Sequence, residues 1–168
     1  MSQELNQFSQ TPVKGDLDLR VNPNVVSGRI DSAYDSDANG KIPAGMPLKL
    51  KDVVSGVPVV QPVVNNTDVV FGFAVRNHKD KSFDANDELE IARSECVMYM
   101  ESGAALAPGA KVQVDPDGGA GTGKDATAVE ALGNSTEEIG FVLDKATGAE
   151  ELIRVVIFGA LSKTSPAA

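Results

Sequence analysis

Apolar residues in this chain recur mainly at every second position. Met46, Leu48 and Leu50 alternate with Pro47, Lys49 and Lys51; Leu89 and Ile91 alternate with Glu88 and Glu90; Val112 and Val114 alternate with Lys111, Gln113 and Asp115. Side chains of a strand point alternately to opposite faces, so this spacing predicts half-buried strands. Residues 69–75, 96–100, 139–143 and 152–158 are apolar on both faces. They fit strands covered on both sides or lying between subunits. Residues 57–64 contain Pro58 and Pro62; proline donates no ladder hydrogen bond, so this run is expected at an edge or in an extended connection. Turn pairs such as Asn39-Gly40, Ser55-Gly56, Pro108-Gly109 and Gly133-Asn134 separate the runs at short intervals. Helical periodicity is weak, with only residues 102–107 and 126–132 able to make a turn or two.

The pattern predicts an all-β protein, a small barrel or sandwich of short strands with long loops and little helix. Residues 1–18 are polar and weakly patterned, which predicts a flexible, extended N-terminal arm. Residues 19–161 read as a single β-rich domain and residues 162–168 as a short C-terminal tail. An internal echo runs through the domain. Gly45 opens an alternating strand and is followed 27 residues later by Gly72-Phe73; Gly109 does the same and is followed 31 residues later by Gly140-Phe141. Two such copies are compatible with a duplicated β-domain and with coincidence.

Composition narrows the function. A chain of 168 residues buries enough surface to fold without disulfides or metal. With 15 Lys+Arg against 24 Asp+Glu, the net charge is −9, which argues against nucleic-acid or anionic-membrane partners. No apolar run approaches the roughly 18–20 residues of a membrane span. The first residues lack the basic stretch and apolar core of a secretion signal, so synthesis in a cytoplasm is expected. One His, one Cys, two Tyr and no Trp leave little acid–base or nucleophilic equipment, and no enzyme is expected. Cys96 lies in an apolar run, where a buried, inert thiol is expected.

Three motifs touch on chemistry. Asp35-Ser36-Asp37-Ala38-Asn39-Gly40 matches the opening of a calcium loop, but position twelve is Met46 where a bidentate Glu is needed. A polar turn is the better reading. Gly118 to Lys124 has the spacing of a phosphate-binding loop, yet Asp125 replaces the required Ser or Thr and would repel phosphate. His78 sits in a charged stretch and reads as a polar loop residue. No catalytic residue, metal ligand or cofactor is assigned.

The motifs Gly40-Lys41-Ile42-Pro43-Ala44-Gly45-Met46-Pro47-Leu48, Asp68-Val69-Val70-Phe71-Gly72-Phe73-Ala74-Val75, Asp87-Glu88-Leu89-Glu90-Ile91, Leu106-Ala107-Pro108-Gly109-Ala110-Lys111-Val112 and Glu138-Ile139-Gly140-Phe141-Val142-Leu143 follow one another in a telling order. Over residues 21–161 this order resembles the capsid decoration (cement) proteins of tailed bacteriophages. The resemblance implies a virion structural protein on the outer surface of the expanded capsid, with the major capsid protein as partner. It also implies self-association, as a homotrimer or, as runner-up, a dimer, and no catalytic residues. Chain ends in such proteins often reach neighbours, so Phe8, Val13, Leu17 and Leu19 are the expected capsid or subunit contacts of the arm. Two other readings are a β-barrel receptor- or carbohydrate-binding module and a carboxylate-based enzyme or accessory subunit. The eight Phe+Tyr residues offer little of the aromatic platform the module needs.

Overall fold

A computed structural model describes residues 12–18, 24–64, 68–77, 82–115, 128–131 and 138–158. Its strands are β1 (Asn24–Ile30), β2 (Ile42–Pro43), β3 (Pro47–Val54), β4 (Val57–Pro62), β5 (Gly72–Ala74), β6 (Ser82–Phe83), β7 (Glu88–Ser94), β8 (Cys96–Ser102), β9 (Lys111–Asp115), β10 (Ala128–Ala131), β11 (Gly140–Val142) and β12 (Leu152–Ile157), with one helical turn, α1 (Ser36–Asn39). The all-β expectation holds, and the barrel it left as one option is present twice. One closed barrel runs β1-β4-β3-β5-β7 and the other runs β8-β10-β9-β11-β12, while β2 and β6 form a small separate sheet.

The two barrels are copies of one another. In the first, β1 pairs in parallel with β4 and antiparallel with β7; in the second, β8 pairs in parallel with β10 and antiparallel with β12. The echo in the sequence falls on equivalent positions. Gly45 and Gly109 share a left-handed φ of 82°. Each donates its N–H at 2.7 Å, Gly45 to the Ala74 carbonyl and Gly109 to the Val142 carbonyl. Leu48 stands opposite Gly72 as Val112 stands opposite Gly140. Even the left-handed residues Asn86 and Glu150, at φ 67° and 63°, match, donating to the carbonyls of Ile30 and Ser102. Coincidence does not place so many features in register; the fold is a tandem duplication.

Two local expectations change. Residues 57–64 do not sit at an edge, because β4 is a barrel strand between β1 and β3. Val63 donates to the Pro47 carbonyl whereas Asp31 donates to the Val60 carbonyl, so odd positions bond β3 and even positions face β1. Both prolines therefore turn their nitrogens toward β1, where β4 pairs only at Val59 and Val60. Of the two helix candidates, residues 128–131 form β10, and the stretch after Ser102 forms a loop with a bridge from Leu106 to Ala146. Pairing across the barrel outweighs a marginal helical pattern there.

The apolar cores explain the two-faced strands. Ala74 and Ile91 face the interior of the first barrel with Ile30, Leu48 and Val60. Their neighbours Phe73 and Ala92 point the other way, into the cluster built by Met98, Met100, Val112, Ile153 and Val155 of the second barrel. The outer face of β5 and β7 is thus the seam between the barrels.

Candidate interaction surfaces

Of the arm residues, 12–18 are described; 13–16 make a turn, and 15–18 lie in that seam bonded to β8 through a single bridge. Gly15 donates to the Tyr99 carbonyl at 2.8 Å, Tyr99 to the Asp16 carbonyl at 2.9 Å and Asp18 to the Val97 carbonyl at 2.7 Å. Leu17 bridges antiparallel to Met98 and packs on the second core. Gly15 has φ +83°, and a Cβ there would stand 2.6 Å from Ala44 Cβ, so only glycine fits between the barrels. From the first barrel, Arg76 donates its backbone N–H to the Gly15 carbonyl at 3.0 Å and its guanidinium to Asp16 at 3.2 Å. Val13 is 39% exposed and its N–H donates to Asp16 Oδ2 at 2.9 Å. Phe8 and Leu19 lie outside the described residues.

Charge is concentrated beside this segment. Arg154 holds Asp144 in a bidentate pair, at 2.6 and 2.9 Å, with Asp18 at 3.8 Å from the same guanidinium. The Arg154 hydrogen bond holds the Asp144 carboxyl below its ordinary range, and the pair raises the guanidinium in turn. In the first barrel, the Lys51 hydrogen bond, assisted by the Ala33 N–H, lowers Asp31 in the same direction; Gln61 also donates to it, at 2.6 Å. Carboxyls depressed in the folded state stabilise it above their unfolded pKa of about 3.9, and that contribution is lost as pH falls through the folded value. Melting temperature is therefore expected to fall steeply below about pH 4, and Asp144→Asn is expected to fall less between pH 5 and pH 3 than the parent. A melting series across that range checks both; parallel curves would refute the assignment.

A cleft of about 330 Å³ opens on the first barrel, lined by Tyr34, Asn39, Lys41, Met46, Lys49 and Val64 among others. Its lysines are engaged, Lys41 with Asp84 at 2.6 Å and Lys49 with Asp68 at 2.9 Å. The calcium-like run beside it serves as a helix start. The Asp35 carboxylate accepts from the N–H groups of Asp37 and Ala38 at 3.1 and 3.0 Å, the usual work of an N-cap. Cys96 is fully buried, and burial pushes its thiol pKa up, away from reactivity. No cluster of three metal-ligating side chains occurs among the described residues. His78 and the Gly118–Lys124 motif lie outside them.

The β3–β4 hairpin reaches beyond the barrel wall. Ser55 and Gly56 both take left-handed φ, 53° and 81°, which gives a tight two-residue turn whose twist matches the strands. Leu50, Val53, Val54 and Val57 are all exposed on it, Val53 by 53%. Val54 opposes Val57 on one face and Val53 opposes Pro58 on the other. Apolar groups clustered at an exposed tip make it a candidate interaction surface. The turn was legible in Ser55-Gly56. The exposure was not, because valines on both strand faces read equally well as a buried strand.

Against known proteins, the phage structural cement protein family (E217 gp24/Pam3 gp6) matches residues 3–158. The chain belongs to this family. Membership gives it a structural, capsid-associated role in a phage. Among solved structures, the N base of head fiber gp8.5 of bacteriophage phi29 has a similar fold. The two are 16% identical with a TM-score of 0.52, over 84% of this chain and 99% of that one. No curated protein matches the chain.

Proposed function

We propose that this cement-family protein binds the outer surface of the expanded phage capsid after synthesis in the host cytoplasm. There it stabilises the lattice of the major capsid protein without catalysing a reaction. The match to the cement family along residues 3–158 carries the proposal. A protein that binds the assembled lattice and not its separated subunits stabilises the lattice by mass action. Self-association, as a homotrimer or else a dimer, would multiply that effect through avidity. In this reading residues 19–161 act as one unit. The arm, with Phe8, Val13, Leu17 and Leu19, and the apolar β3–β4 hairpin supply contacts to the shell or a neighbouring subunit. An acidic surface of net charge −9 would keep decorated particles apart.

Sedimentation of expanded shells with the protein tests this. Bound copies are expected to saturate at a number set by the lattice symmetry, and no binding to the cognate shell would refute the proposal. Removing residues 1–11 together with Val13→Ser is expected to lower occupancy at limiting protein while Leu17 still covers the second core. Unchanged occupancy would remove the arm from the interface.

A further inference from the structure

The duplication exposes a difference between equivalent edges. In the second barrel, the N-terminal half of β8 is closed by residues 14–18, which take up the N–H and C=O of Tyr99 and the C=O of Val97. The equivalent strand of the first barrel is β1, with Val25 and Ser27 in the places of Val97 and Tyr99; Val25 opposes Ala92 where Val97 opposes Val156. Ile30 bonds residue 87 of the β7 side while Arg29 pairs with β4, so odd positions of β1 direct their backbone groups away from β7. The parallel ladder to β4 stops at Val59, because Pro58 has no N–H to offer the Ser27 carbonyl. Among the described residues nothing takes up the backbone groups of Val25 and Ser27. Among the described residues an apolar lid is missing too. Met98 is fully buried beneath Leu17, whereas its counterpart Val26 is only half-buried and Ser27 is exposed.

We propose that this edge of the first barrel accepts a strand donated by another protein of the shell, carrying an apolar residue followed directly by a basic one. The filled edge supplies the template: an antiparallel segment whose central apolar side chain covers the core, as Leu17 does on Met98. Charge selects the donor. Beside the filled edge Arg154, opposite Tyr99, meets Asp18. At the open edge its counterpart is the exposed Glu90, opposite Ser27. A second copy of Asp16-Leu17-Asp18 would set carboxylate against carboxylate there, and residues 1–11 contain no Lys or Arg. Charge therefore favours a different chain as donor, and a segment of this chain is one of the outcomes the exchange measurement distinguishes. The acceptor edge stands on the fold alone; the donor's place in the shell rests on the capsid reading.

Two peptides of residues 12–19, one unchanged and one with Asp18→Lys, test this against the full-length protein, followed by hydrogen exchange at single amides. The Asp18→Lys peptide is expected to bind at least tenfold more tightly and to slow exchange at Val25 and Ser27. Glu90→Lys is expected to reverse the preference. Equal binding of both peptides to both proteins would overturn the proposal. So would Val25 and Ser27 amides already protected in the free protein, or protected only as its concentration rises, since the chain itself or a second copy would then fill the edge. Shells play no part in this measurement, so a failure to bind capsid leaves its result standing.

Discussion

Gly140→Ala is expected to destabilise the protein by about 3 kcal/mol or more, at the upper end of overpacking costs. A Cβ at Gly140 would stand 1.7 Å from the Val156 carbonyl oxygen and 2.8 Å from its carbon. Those atoms belong to β12, which is bonded to β11 in this region and to β8 on its other side. They can yield only by dragging a barrel strand. Gly72, the counterpart in the first barrel, would place a Cβ 2.5 Å from the Ala92 carbonyl oxygen, so Gly72→Ala is expected to follow the same direction. The control is Gly109→Ala. That residue has φ +82° with nothing near its missing Cβ, so only the left-handed conformation is penalised, by about 1–2 kcal/mol. Urea unfolding of the three variants decides the matter. A Gly140→Ala loss no larger than that of Gly109→Ala would mean that the strands part more easily than their pairing implies.

Phe73→Ala is expected to cost about 3–5 kcal/mol, the range for removing a buried aromatic. Phe73 is 1% exposed and is a first-barrel residue whose side chain belongs to the second-barrel core. Because that cluster also draws Val63, Val70, Val75 and Ala92 from the first barrel, the two barrels are expected to melt in one transition. Methyl resonances of Leu48 and Ile153, one from each interior, should disappear at the same temperature in the parent protein. Two separate midpoints would contradict a shared core.

The strands were legible because their spacing is a direct record of which face is covered. Leu89 and Ile91 alternate with two glutamates and are buried as the alternation requires. The runs apolar on both faces were equally honest: Phe73 and Ala74 are both buried because two different cores claim them. Closure was less accessible. Pro58 and Pro62 signal an edge when each strand is considered singly, and only the direction of their nitrogens reconciles them with a barrel. The duplication was visible at Gly45 and Gly109 but rested on a handful of residues; it became decisive through backbone bonds, to which many sequences are compatible. Among the surface features, an exposed valine and a buried one look alike in a sequence, so the hairpin tip emerged only with its surroundings.

The docking of residues 14–18 on β8 also bears on how the chain acquires its fold. Its partners, Val97 and Tyr99, leave the ribosome some eighty residues later, after the entire first barrel. Closing so long a loop carries an entropic cost before any contact repays it. Residues 14–18 therefore cannot dock until β8 has emerged, after every strand of the first barrel has been made. The seam between the barrels is sealed from the beginning of the chain, as a late act of assembly.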